Sequence, residues 1–190
     1  MLFEVRVTFY PLERAHFSYL VRWLNMPHVQ VVWGGPTRWT LADVAQKYSS
    51  HVDGYLEEKG ERKPIFAYIY AISGVLAGFI QCYDARHFAR EGYELSDVVD
   101  LAQHQNLGAI DFYLGETVLL GNGWGAVVVQ EFLSQFVFKK FHTCFVDPDL
   151  ANIYGQETLK KAGFVALDYA EDSYIVPMIA RSKAGGLFDL

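Results

Sequence analysis

The chain has 190 residues, enough for one large domain. Its 52% hydrophobic content against 20% charged residues supplies a full core and excludes a disordered chain. Sixteen Lys and Arg against 22 Asp and Glu leave a net charge of -6, which argues against a nucleic-acid partner and leaves room for a cationic one.

The first ten residues, MLFEVRVTFY, alternate Phe3, Val5, Val7 and Phe9 with Glu4, Arg6 and Thr8. That period predicts a strand over 2–9, and the charges inside it do not suit a signal peptide. Leu12 to Leu24 carries apolar residues at helical spacing, with Pro11 suited to a first helical turn. "VVWGGPTRW" breaks that helix. Thr40 and Asp43 make a capping-box-like start, Asp standing where Glu or Gln is usual, for a helix predicted to run to about Glu58.

From Pro64 to Tyr83 the chain reads PIFAYIYAISGVLAGFIQCY, uncharged and long enough to span a bilayer. Ser73-Gly74 at its centre, Gln81 inside it and its β-branched and aromatic content instead predict a buried hairpin. Cys82 and Cys144 lie in apolar strand-like runs and read as reduced, buried thiols, which suits the cytoplasm. Residues 84–108 form a polar excursion with some helix. A strand follows over Ala109–Leu114, then a glycine loop, a helix from about Trp124 to Lys140 and a strand over about 142–146. A helix from Asn152 to Ala162 is stopped by Gly163, and Val165–Tyr169 and Tyr174–Ala180 are the last predicted strands. These elements make a single α/β domain over 1–190, with a mixed sheet because a hairpin is embedded in it.

The glycine loop, "LLGNGWGAVVVQEFL" from Leu119 to Leu133, is the first candidate for chemistry. Gly121, Gly123 and Gly125 bare the backbone N–H groups at the start of a helix, where partnerless donors and the positive end of the dipole favour an anion. Gly121-Asn-Gly-Trp-Gly-Ala126 also fits the dinucleotide fingerprint, with Asp147 ending the next strand. A nicotinamide domain, however, starts with this unit and builds several more after it, and too little chain remains here. A plain turn is the third reading.

The segments "WLNMPHVQVVWGG" (Trp23 to Gly35), "TLADV" (Thr40 to Val44), "AGFIQCY" (Ala77 to Tyr83), "IDFYLGETVLLGNGWG" (Ile110 to Gly125) and "DPDLAN…KKAGF" (Asp147 to Phe164) occur in that order. Together they resemble the aminoglycoside 6'-N-acetyltransferase branch of the GNAT superfamily over most of residues 2–180. The resemblance implies the GNAT-like α/β fold and acetyl-CoA as co-substrate. Its pyrophosphate would lie on the loop of Leu120, Gly121, Asn122, Gly123, Trp124, Gly125 and Ala126. Phe112, Leu114 and Asn152 would meet the rest of the cofactor.

The resemblance further implies that Asp111 is the general base, and a lone acid in the apolar run AIDFYL is costly unless paired or functional. Trp33, Gln81, Asp147 and Asp172 would face the acceptor together with Asp111. All but Gln81 have a plainer reading, as has Asn152: a strand-edge Asp111 facing water, a core Trp33, a turn or helix-capping Asp147, a turn Asp172, and an N-cap for Asn152. Two departures stand out. Leu159 occupies the place where many GNAT enzymes carry a Tyr that protonates the thiolate. Tyr154 lies about 140° away around the helix, a poor substitute, although a thiolate near its own pKa leaves with little help. The 84–108 segment is also longer and more mixed in charge than that of the drug-modifying enzymes.

The expected activity is therefore acetyl transfer from acetyl-CoA to a primary amine of an aminoglycoside-like, cationic small molecule by direct attack. A hydroxylysine-type siderophore precursor or other small metabolic amine is the second expectation, and a non-catalytic acyl-CoA-binding domain the third. No metal is expected, because the six histidines lack ligand spacing. Nor is a nucleic-acid or membrane partner; a monomer or homodimer is.

Overall fold

The computed structural model describes residues 6–33 and 37–182. Strand β1 (Val7–Pro11) leads through a 3-10 turn (Arg14–His16) into α1 (Phe17–Leu24), α2 (Pro27–Gln30) and α3 (Leu41–Val52). Strands β2 (Tyr55–Glu58), β3 (Glu61–Ile72) and β4 (Val75–Asp84) follow, then α4 (Leu95–Val98), β5 (Leu107–Leu114), α5 (Trp124–Gln135) and β6 (Thr143–Val146). The chain continues through α6 (Ile153–Ala162), β7 (Val165–Ala166) and β8 (Met178–Arg181). The strands form one mixed sheet in the order β1-β3-β4-β5-β6-β8-β7, with β2 on β3.

Contacts group the chain into two compact units. One comprises the residues up to Gln81 together with Asp111–Gly125, the other Cys82–Ile110 and the chain from Ala126 onward. In the first, β1 and β2 both pair antiparallel with β3. The apolar stripe of α1 buries Phe17, Leu20, Trp23 and Leu24 with Val44 and Tyr48 of α3, against Ala67, Ile69, Phe79 and Tyr113 of the strands. Thr40 and Asp43 form the expected capping box, the Thr40 hydroxyl accepting from the Asp43 N–H. In the second unit β6 pairs in parallel with β5 over Leu107–Ala109 and antiparallel with β8. Val128, Val129, Phe132 and Leu133 of α5 are buried, as are Cys144 and Phe145 of β6 and Leu159 of α6.

The uncharged stretch 64–83 is the predicted hairpin, turning at Ser73 (φ 49°) and Gly74 (φ 83°). Among the described residues no helix is long and apolar enough to cross a membrane. Several predicted bounds are corrected. Pro11 ends β1, opposite Tyr68, instead of opening a helix, a place open to proline because this strand lies at the sheet edge. The helix predicted to Glu58 stops at Val52. Gly54 (φ 83°) reverses the chain, and Tyr55–Glu58 turns at Lys59-Gly60 to pair with Glu61–Pro64. The helix predicted to Lys140 ends at Gln135, before a separate 3-10 turn at Val137–Lys139.

The last two strands are shorter than predicted. Val165–Ala166 replaces Val165–Tyr169, and Met178–Arg181 replaces Tyr174–Ala180, with a single bridge at Ile175. Pro177 offers no N–H to a ladder there. Phe3, Glu4 and Val5 of the first predicted strand lie outside the described residues, as do Gly34 and Gly35 of the helix break.

Candidate active site

In the first unit, alternation along a strand sets the site. Phe79 and Gln81 share one face of β4, and Asp111 and Tyr113 one face of β5. Gln81 Nε2 donates to Asp111 Oδ2 at 2.8 Å, and the Phe79 and Tyr113 rings stack at 5.6 Å. Gln81 is buried, whereas Asp111 is half-buried. The second amide atom of Gln81, Oε1, is buried without a hydrogen-bond partner. That is a cost an acceptor N–H could relieve.

Trp33 extends this face into an aromatic wall. Its ring meets Tyr113 at 5.2 Å and Phe79 at 6.0 Å, both edge-on. Its indole N–H donates to the Tyr48 hydroxyl at 3.2 Å, and Tyr48 in turn packs edge-on against Phe79. Burial holds the Tyr48 and Tyr113 phenols well above their ordinary pKa, so both stay neutral. Lys47, the residue before Tyr48, is exposed and lays its ammonium 5.1 Å from the Trp39 ring centroid and 5.6 Å from that of Tyr48. Desolvation lowers its pKa, opposed by the charge of Asp111. The structure thus links Trp33, Gln81 and Asp111 through Phe79 and Tyr113.

The far end of β5 is anchored by residues the sequence did not mark. His28 Nε2 hydrogen-bonds the Leu114 carbonyl at 2.9 Å, and the Trp23 indole donates to Glu116 Oε1 at 2.9 Å, where Arg22 also pairs. Gly115 must be glycine, because a Cβ there would sit 2.1 Å from the Trp23 ring. Phe112 and Leu114, expected at the cofactor, are half-buried on β5.

Leu120 is exposed and leads into Gly121 and Gly123, both left-handed at φ 75° and 79°, with no atom within 4 Å of either notional Cβ. Asn122 folds back, its Nδ2 donating to the Val118 and Leu120 carbonyls. Trp124 and Gly125 open α5, and Ala126 is buried within it. Two left-handed glycines precede a twelve-residue helix, whose first N–H groups lack intrahelical partners, a donor set that fits a pyrophosphate.

In the second unit Asp147 is already engaged. Arg90 Nη1 lies 3.3 Å from each carboxylate oxygen, and the Tyr93 hydroxyl donates to Oδ2 at 2.5 Å. Arg90 also lies over the Phe145 ring at 5.3 Å and the Tyr83 ring at 5.7 Å. Burial and the Asp147 charge together raise the Tyr93 pKa, so this phenol keeps its proton and donates it to the carboxylate. Asn152 is the N-cap of α6, its Oδ1 accepting from the Gly155 N–H at 2.9 Å. Asp172 is exposed in the turn before Ser173. Leu159 is buried, and Tyr154 is 91% exposed. Among the described residues no three His, Cys, Asp or Glu side chains could together hold a metal ion.

The sequence reading missed Lys47, Tyr48, Tyr113, Glu116, Arg90 and Tyr93. Tyr48 falls four residues after Val44 on the buried stripe of α3, a signal present in the sequence. Arg90 and Tyr93 lay in a polar stretch whose spacing says nothing about a partner at Asp147.

A comparison with curated proteins finds no significant match. Among solved structures, the aminoglycoside acetyltransferase AAC(6')-Ib in complex with coenzyme A is 25% identical, with a TM-score of 0.73, covering 93% of this chain and 95% of that one. The same enzyme with ribostamycin and coenzyme A is 25% identical with a TM-score of 0.75, covering 97% and 98%. Spermidine N-acetyltransferase from Vibrio cholerae, with coenzyme A and spermine, shares the fold at 12% identity and a TM-score of 0.65, covering 92% and 95%. The profile of the acetyltransferase (GNAT) domain matches residues 13–171, and the chain belongs to this family of acetyltransferases.

Proposed function

We propose that the protein transfers an acetyl group from acetyl-CoA to a primary amine of a small molecule by direct attack, with Asp111 receiving the amine proton. The observation that carries this reading is the Gln81–Asp111 hydrogen bond of 2.8 Å at the end of the aromatic wall. A carboxylate oriented by a buried amide can hold an ammonium and accept its proton, the work a general base must do. Gln81 Oε1 would take a second N–H of the same amine. The Trp33 ring would cover its carbon skeleton.

Acetyl-CoA supplies the acetyl group as a thioester. The amides from Gly121 to Gly125 would hold its pyrophosphate, because nothing near Gly121 or Gly123 obstructs them. The similarity to AAC(6')-Ib supports an aminoglycoside-like acceptor. A second reading, a small metabolic amine such as a hydroxylysine-type precursor, is favoured by the pairing of Asp147 with Arg90 and Tyr93, which occupies an acid that a polycation would need. Incubation with acetyl-CoA and a panel of amines, followed by detection of free thiol, tests the proposal. Thiol release that depends on an amine supports it. Acetyl-CoA binding without release to any amine would leave a non-catalytic acyl-CoA-binding domain.

A further inference from the structure

We propose that Glu116 is a positioning residue that presets the glycine loop for the pyrophosphate of acetyl-CoA. The inference rests on the N-acetyltransferase reading and names the side chain that holds its cofactor loop in place. Glu116 follows β5 on the stretch of the first unit that leads to Gly121 and Gly123. Its Oε1 accepts from the Trp23 indole N–H at 2.9 Å and pairs with the Arg22 guanidinium. Its backbone N–H donates to the Ala77 carbonyl of β4 at 3.2 Å, and the Gly115 N–H donates to the same oxygen at 2.7 Å. Trp23 is fully buried on α1, so its indole is a fixed point in a close-packed core.

From that point the loop is bonded turn by turn. The Leu119 N–H donates to the Glu116 carbonyl at 3.1 Å, and the Leu120 N–H to the Thr117 carbonyl at 3.1 Å. Asn122 reaches back with Nδ2 to the Val118 and Leu120 carbonyls. This run of bonds carries the position of the half-buried Glu116 carboxylate to the backbone between Gly121 and Gly123. Nothing lies within 4 Å of a notional Cβ on either glycine, so packing on that side does not hold them. A loop that must order itself around a phosphate loses affinity to that ordering, and one already held does not.

Two thioesters separate this role from a general loss of structure. Acetyl-CoA carries the pyrophosphate; S-acetylpantetheine carries the same acetyl arm without the pyrophosphate and nucleotide. Glu116→Ala should weaken acetyl-CoA binding about tenfold, the scale of one hydrogen bond to a charged group, and leave S-acetylpantetheine binding unchanged. Calorimetry with both ligands reads the difference. An equal loss on both, or wild-type affinity for acetyl-CoA in the folded variant, overturns the inference. Amide hydrogen exchange on the cofactor-free wild type tests the preset loop whether or not that variant folds. Protected Leu119 and Leu120 amides support it, and exchange at the rate of an unstructured chain overturns it. The underlying reading fails differently: a wild type that binds acetyl-CoA no more tightly than S-acetylpantetheine does not hold the pyrophosphate, and this inference falls with it.

Discussion

In the proposed reading, Asp111 is the residue that receives the amine proton. Asp111→Asn keeps the shape and the contact with Gln81 but removes the basic oxygen. Turnover should fall by about 10²–10⁴-fold with acetyl-CoA affinity nearly unchanged, as measured by single-turnover acetylation and calorimetry. His51 carries a separate prediction. It is buried beside the Tyr48 ring at 4.8 Å, and burial lowers its pKa from the ordinary 6.5 to about 4. The unfolded chain therefore binds a proton below about pH 6.5 that the folded chain refuses until about pH 4. Stability is unaffected above that window and falls as pH drops through it, by up to about 3 kcal/mol from this one group. Urea melts across the window should show that slope in the wild type and a shallower one in His51→Leu.

At the level of elements, the loop before α5 answers to backbone conformation rather than to crowding. Space is open around Gly123, yet φ 79° is a conformation that a β-branched residue resists. Gly123→Val should weaken acetyl-CoA binding by tenfold or more, on the order of the 1–3 kcal/mol of a forced backbone, and leave the core intact. Equilibrium dialysis with acetyl-CoA checks it, and retained affinity would remove the loop from the cofactor site. Tighter binding of NADH than of acetyl-CoA would restore the dinucleotide alternative. The same loop has the opposite relation to Gly115, where the limit is the Trp23 ring and not φ.

Across the molecule, a net charge of -6 draws cations at long range, with an effect screened over about 8 Å at physiological salt. Steering depends on where uncompensated acids lie, and the pairing of Arg90 with Asp147 removes one of them. The rate with a singly charged amine should accordingly change little with added salt. A steep fall of kcat/KM with kanamycin-like acceptors would instead support the polycation reading. Stopped assays over a salt series distinguish the two.

Local signals in the sequence determined the hairpin of β3 and β4, the capping box of α3, the Gly163 stop and the glycine-led start of α5, because each depends on residues within a few positions of one another. The motif segments further pointed to Asp111, Gln81 and Trp33. The overrun of α3 into β2 shows where such reasoning ends: periodicity favoured a longer helix, but Gly54 and the Lys59-Gly60 turn gave the chain a pairing partner in β3. Only the tertiary structure decided which charged side chains are engaged. Asp147 reads as a lone acid after a strand until folding brings Arg90 and Tyr93 to it from a polar loop. Lys47 reads as one more surface charge until folding lays its ammonium against the Trp39 and Tyr48 rings. Charge pairing between distant segments follows from burial and strand order, and residue spacing along the chain carries no record of it.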